Sequence, residues 1–402
     1  MIAFADALFD AQLLRAIGHG PYGGAEIGEC LATAAAIVNG DRDSWYRGWM
    51  ALADRCFAAA TTSAAAGHRK SAERAFLRAS NYYRTAYVFH LQAPLPDVVG
   101  AAYRRHREAF VLAAAAMERP LAPLAVDFDG LSLPGYFCPA EGAGDAPRPV
   151  VISVGGYDST AEESYFFNAV AANQRGYHCV IFDGPGQGAL LLERGVPFRP
   201  DWQGALRAVV DAVAARPDVD ARRIVVVGES WGGYLVPGLV AHDRRVAACV
   251  LDPPQLSLFR AMLGRLPLPK AWTADLPRGP RWLVRLLRFL LMRVAQKPTA
   301  GWALRRGMLA HGVATPWDYF VDAARYEQTA IVGDVRCPTL VCDAADDDIA
   351  AQAREFYDRL RCDKTYLRFT ADDGAGEHCV MGNRGLYHAR VFDWLDGKLA
   401  AS

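Results

Sequence analysis

The sequence has no excess of either charge: 44 Lys plus Arg stand against 44 Asp plus Glu, for a net charge of zero at pH 7. Chains that work on nucleic acid carry a basic excess, so nucleic acid is not expected as the main partner. No apolar run reaches the ~18 residues that cross a bilayer, which argues against stable membrane insertion. The opening stretch Met1-Ile2-Ala3-Phe4-Ala5-Asp6 has no basic segment ahead of an apolar one. A secretory signal is therefore not expected, and a cytoplasmic protein is. Cysteine pairing is missing as well, since the nine cysteines are odd in number and form no C-x-x-C. They read as small buried hydrophobes in a reducing compartment, with no disulfide and no zinc site. Nor is this a disorder-type composition, with 52% hydrophobic and 22% charged residues. At 402 residues, a large core domain plus an extra one is the natural expectation.

What is present falls into two parts. Residues 1 to about 120 show apolar positions at three- and four-residue spacing, as in Ala51–Ala66 and Ser71–Phe89, and predict a helical N-terminal cap domain. The segment from Asn81 to Tyr87 is rich in aromatic and hydrogen-bonding groups, which makes Tyr82 and Tyr83 candidates to contact substrate, with packing as the alternative. From Leu121 the period changes. Ala125–Phe128 and Leu131–Phe137 predict an antiparallel pair around Asp129-Gly130. Buried strands follow at Val150–Val154, His178–Phe182, Arg223–Val227, Ala247–Leu251, Thr339–Cys342 and Thr365–Phe369, alternating with helical runs. This alternation predicts an α/β fold with a mostly parallel, doubly wound sheet over residues 121–402, interrupted by a helical lid insertion at about 256–330.

Chemistry concentrates at Gly228-Glu229-Ser230-Trp231-Gly232, a G-x-S-x-G pattern with a β-branched strand before it and an apolar helical run from Tyr234 to Ala241 after it. Strand, tight glycine-flanked turn and helix make a nucleophile elbow with Ser230 exposed at the corner. A serine hydroxyl needs a base, and the base an orienting acid, in the chain order Ser, Asp/Glu, His. His378, in the loop after the last strand, fits the base; His388 lies inside the final helix and reads as a surface residue. The acid belongs after Thr339–Cys342, where Asp343, Asp346, Asp347 and Asp348 stand; a G-x-x-D turn aligned on Ala344-Ala345-Asp346-Asp347 selects Asp347. That acidic cluster lacks the spacing and terminal glutamate of a calcium loop. Oxyanion donors are expected from the N–H of Trp231 and from Gly156 or Tyr157. Asp158 and Glu229 lie next to these positions as possible proton helpers, with loop-holding hydrogen bonds as the plainer role. Gly184-x-Gly186-x-x-Ala189 nominally fits a dinucleotide loop, but Pro185 lacks an N–H where pyrophosphate would sit.

Several further stretches extend the pattern: Gly155-Gly156-Tyr157-Asp158-Ser159-Thr160 with Glu163, Asp183-Gly184-Pro185-Gly186-Gln187-Gly188, Phe198-Arg199-Pro200-Asp201-Trp202, Arg216-Pro217 with Val219-Asp220, and Gly376-Glu377-His378-Cys379 before Phe392-Asp393-Trp394-Leu395. With the elbow, they make the chain resemble the α/β-hydrolases with a helical N-terminal domain, which include 2,6-dihydroxypseudooxynicotine hydrolase and the fungal polyketide-shortening hydrolases. The resemblance implies a Ser230–Asp347–His378 triad, an active site covered by the N-terminal domain, no cofactor or metal, and often a homodimer. It implies cleavage of a C–C bond beside a ketone, on a β-dicarbonyl or acyl-aromatic, polyketide-like substrate. Esterase or thioesterase action is the alternative, as is acyl transfer or cyclisation through the same acyl-enzyme; a non-catalytic scaffold is a remote third. The stretch from Leu276 to Trp317 has no Asp or Glu but holds Arg278, Arg281, Arg285, Arg288, Arg293, Lys297, Arg305 and Arg306. It reads as a lid helix whose arginines snorkel or find acids elsewhere, or as a dock for acyl-carrier protein, coenzyme A or a membrane surface.

Overall fold

The computed structural model describes residues 2–142, 144, 146–263 and 281–400. Among them eight strands form one sheet: β1 (Ala122–Phe128), β2 (Leu131–Cys138), β3 (Arg148–Val154), β4 (His178–Phe182), β5 (Val219–Glu229), β6 (Val246–Asp252), β7 (Thr339–Ala344) and β8 (Lys364–Phe369), in the order β1-β2-β4-β3-β5-β6-β7-β8. The β1–β2 hairpin turns at Asp129 and Gly130, both at positive φ, as a two-residue loop matched to strand twist requires. β2 runs antiparallel to β4, and every later pairing is parallel. Ile224–Val227 are fully buried, so β5 is covered on both faces, which its unbroken β-branched run foreshadows. The carboxyl ends of β3, β5, β6 and β7 converge, and ligand sites of such sheets lie there.

Five helices precede the sheet: α1 (Ala7–Gly18), α2 (Ile27–Ala35), α3 (Arg42–Ala65), α4 (Arg69–Tyr87) and α5 (Asp97–Ala116). α1 starts where the Asp6 carboxylate caps the Leu8 and Phe9 amides, and α3 starts on an equivalent Asp41 cap. α4 lies between α3 and α5 and is buried on nearly every side from Ala72 onward. An aromatic core of Phe9, Trp45, Trp49 and Phe89 holds this unit together, with the Phe9 and Phe89 rings stacked at 4.5 Å. The helices also pack on the sheet unit. A Cβ at Gly18 would strike Met381, Phe110 meets Tyr136 edge-on at 5.0 Å, and His106 Nε2 lies 2.9 Å from Thr160 Oγ1.

Between β6 and β7 the chain leaves the sheet and returns. Its two ends are tied by the Leu258 amide on the Tyr326 carbonyl (3.2 Å) and the Gln328 amide on the Leu256 carbonyl (2.8 Å). The described helices of this insertion are Leu258–Leu263, Arg281–Ala295, Trp302–His311 and Pro316–Ala323. Residues 264–280 of the insertion, including 276–280 of the basic stretch with Arg278, lie outside the described residues. Leu283, Leu287 and Leu291 face Trp317 and Phe320, while Trp282 and Phe289 on the same helix are each 61% exposed. Among the described residues no helix is long and apolar enough to cross a membrane.

Candidate active site

At the end of β5 the backbone turns so tightly that Ser230 takes φ +55°, a left-handed conformation that costs a non-glycine residue about 1–3 kcal/mol. The turn is fixed by its neighbours. The Ser230 amide donates to the Asp252 carbonyl at 2.6 Å, and the Gly233 amide donates back to the Ser230 carbonyl at 2.9 Å. Glycine is required on both sides because a Cβ at Gly228 would collide with the Gly232 carbonyl, and one at Gly232 with the Val154 carbonyl. The helical run after the elbow begins at Gly232, earlier than its apolar residues suggest, and is split into Gly232–Leu235 and Pro237–Val240.

His378 brings the other two groups to this corner. Its Nε2 lies 2.8 Å from Ser230 Oγ and its Nδ1 2.7 Å from Asp347 Oδ2. The Asp347 carboxylate is 3% exposed and accepts the Ile349 amide at 2.8 Å, which fixes its direction. The loops after β7 and β8 are laced together by the Asp346 amide on the Gly376 carbonyl at 2.9 Å. Asp343 is committed to Tyr366 and Arg368, and Asp346 and Asp348 are exposed. Asp347 is therefore the acid that meets the imidazole. Burial pushes the His378 pKa down, but the charge and hydrogen bond of Asp347 push it up more, and the net direction is upward.

The loop after β3 closes the site from the other side. Gly156 abuts Ser230 so closely that a Cβ there would lie 2.8 Å from the serine Cβ. Its amide is already spent on Ser159 Oγ at 2.8 Å, and its carbonyl and that of Gly155 accept from Gln187 Nε2 at 3.0 and 2.7 Å. Among the described residues neither the Tyr157 nor the Trp231 amide has an acceptor. Of the two alternatives for the loop donor, the Tyr157 amide is thus the one without an acceptor among the described residues. The same contacts give Gly184-Pro185-Gly186-Gln187-Gly188 a role: Gln187 braces the loop, and Cβ atoms at Gly184, Gly186 and Gly188 would strike Trp202, Phe198 and Asp183. These glycines accommodate side chains and form no phosphate cradle.

Asp158 and Glu163 sit in a buried ion cluster that the sequence does not announce. Arg15 of α1 grips Glu163 with both ends (2.8 and 2.6 Å) and reaches Asp158 at 3.1 Å. Arg84 of α4 lies 3.5 Å from Asp158 and 3.4 Å from Glu163, and Arg306 of the insertion lies 3.0 Å from Asp158. Although burial raises both acids, the arginines hold them far below the usual carboxylate range. Asp158 is thereby a fixed anion and no proton donor. Glu229 is buried against Arg384 at 2.6 Å, and that arginine also binds the Cys379 and Phe167 carbonyls, joining elbow and base loop. Neither acid is free for substrate. Tyr82 and Tyr83 are corrected too: their hydroxyls donate to Glu29 (2.7 Å) and Asp54 (2.5 Å) inside the helical unit. His388, expected at the surface, is fully buried against Tyr22 and the Phe167 carbonyl, because its helix face packs against the turn after α1 and the helix after β3. The nine cysteines are all unpaired. Among the described residues no group of His, Cys, Asp and Glu has a metal-binding arrangement.

Residues 150–389 match the family model described as the alpha/beta hydrolase family. The chain is 33% identical to 20-hydroxy-prefusarin hydrolase FUS2 of Gibberella moniliformis over 423 aligned residues, covering 99% of this chain and 98% of the relative. It is 32% identical to Hydrolase LUC6 of a Fusarium species, covering 98% and 97%. In the crystal structure of 2,6-dihydroxy-pseudo-oxynicotine hydrolase the same fold recurs with a TM-score of 0.75 at 22% identity, over 96% of each chain. With the eight-stranded sheet and the hydrolase-named relatives, these matches make the chain a member of the alpha/beta hydrolase family and an enzyme with hydrolase activity.

Proposed function

We propose that the chain is a serine hydrolase of the polyketide-pathway type that cleaves a C–C bond beside a ketone in a β-dicarbonyl or acyl-aromatic substrate. The observation that carries this reading is the relay from Asp347 through His378 to Ser230, at 2.7 and 2.8 Å. His378 takes the proton of Ser230, Asp347 holds the imidazole in the right tautomer, and the alkoxide forms against the Trp231 and Tyr157 amides. Collapse expels carbon where the leaving carbanion is an enolate or an electron-rich ring, and His378 returns the proton; water, deprotonated by His378, then attacks the acyl-enzyme and frees the carboxylate and Ser230. The hydrolase names of relatives aligned over nearly the whole chain support the direction of the reading. The test is product analysis in H₂¹⁸O with a 1,3-diketone, its matched aryl ester and a thioester. C–C cleavage places one ¹⁸O in the new carboxylate and leaves a shortened ketone. Turnover of the ester or thioester alone discards the C–C assignment, and a cyclised product without ¹⁸O moves the protein to acyl transfer. Failure of a fluorophosphonate to label Ser230 would overturn the mechanism altogether.

A further inference from the structure

The ion cluster beside the oxyanion loop is not neutral. The acids that Arg15, Arg84 and Arg306 face are Asp158 and Glu163, and burial pushes the pKa of the neighbouring His19 down. The next acids face other bases: Glu162 shares Arg107 with Glu193, at 3.3 and 2.9 Å, and Glu229 binds Arg384 at 2.6 Å. Three guanidiniums thus share two carboxylates, each arginine within 3.5 Å of at least one, so the five side chains together carry one positive charge more than negative. Of the three, Arg306 is the most open, with 20% of its side chain exposed against 14% for Arg15 and 2% for Arg84. It is also the one that lines a pocket, together with Tyr87, Leu91, Tyr157, Leu191 and Leu309. Two buried donors at this pocket lack a hydrogen-bond partner among the described residues, Arg306 Nε and the Tyr87 hydroxyl. Tyr157 and Asp158 of the pocket wall follow Gly156 in the chain, and Gly156 abuts Ser230.

We propose that this pocket receives the anionic end of the substrate, a carboxylate or the enolate of a 1,3-dicarbonyl, with Arg306 as its counter-ion and the Tyr87 hydroxyl as a second donor. The proposal rests on the serine-hydrolase reading and names the substrate class: an acid with an apolar body, which suits the leucines around the arginine. An anion here supplies the missing charge of the cluster, so binding also firms the loop that carries the Tyr157 amide.

The experiment compares 4-nitrophenyl hydrogen glutarate, adipate and suberate with their methyl-capped diesters. At one chain length, kcat/KM should favour the free acid by about tenfold or more, and Arg306→Gln should remove that preference while Arg306→Lys keeps most of it. Arg306→Gln should fold, because it leaves two guanidiniums facing two carboxylates, and thermal unfolding checks this. Binding is read separately from turnover: monomethyl suberate should raise the Tm of Ser230→Ala and leave Ser230→Ala/Arg306→Gln unmoved. No acid preference at any length, a preference unchanged in Arg306→Gln, or equal Tm shifts in the two variants overturns the proposal. Absence of fluorophosphonate labelling at Ser230 overturns the mechanism instead, and the Tm comparison then still decides the pocket.

Discussion

Ser230 is held at φ +55° by bonds to its own amide and carbonyl, so its position does not depend on its side chain. Ser230→Ala and His378→Ala should each lower turnover by at least ~10³-fold with an unchanged fold, since triad members act as a unit. Asp347→Asn should cost heavily through the wrong tautomer, whereas Asp346→Asn, on an exposed residue, should cost little; the reverse ranking would refute the assignment of the acid. The raised pKa of His378 sets the pH profile. Protonated imidazole cannot accept the serine proton, so kcat/KM should fall on the acid side with a midpoint above the ordinary histidine value of about 6.5. Residual activity of Asp347→Asn should show that limb displaced downward, because the main raising interaction is gone. These three residues were legible because each lies in a local pattern: an elbow, a turn after a strand, a loop before the last helix. Arg15, Arg84, Arg306 and Arg384 were not, because their partners lie 143, 74, 148 and 155 residues away and no spacing records such a contact.

At the scale of elements, strands were the most readable parts. β4 runs over His178–Phe182 as its apolar run predicts, and the other strands extend the predicted cores by a few residues, since hydrophobic runs mark buried centres and not exposed ends. Helix faces were harder. His388 and Tyr83 needed knowledge of which neighbour packs on each face, and periodicity leaves that open. The helix Arg281–Ala295 buries its apolar stripe of Leu283, Leu287 and Leu291. Arg281, Arg285, Arg288 and Arg293 meet no acid among the described residues. This leaves open charge for an anionic carrier. Replacing Arg281, Arg285 and Arg288 by Gln should weaken turnover of a coenzyme A thioester much more than that of the matching N-acetylcysteamine thioester, and most at low salt. Equal loss on both substrates would assign these arginines a purely structural part.

At the scale of the whole molecule, the helical unit and the sheet unit share one ion cluster, which ties the first third of the chain to the loop beside Ser230. Arg15 and Arg84 come from α1 and α4, Asp158 and Glu163 from the loop and helix after β3, and Arg306 from the insertion. Because Asp158 and Glu163 titrate far below an unfolded carboxylate, their contribution to stability is complete above the unfolded value of about 4 and drains away as pH falls below it. Removing the helices has a sharper effect than acid. Without residues 1–115 Glu163 loses both of its arginines, Asp158 keeps only Arg306, and the apolar faces of Phe166 and Tyr136 lose His19 and Phe110. A buried acid stripped of its partner costs about 3–5 kcal/mol, so the loop holding the Tyr157 amide should rearrange. The truncated chain should lose activity and bind a hydrophobic dye. Arg15→Met in the full chain should reproduce the loss in part, lowering kcat more than it raises KM, because Arg15 acts on the oxyanion loop through Asp158 and Glu163. A soluble truncated protein with full activity would show that the sheet unit works alone and that the cluster merely holds the helices in place.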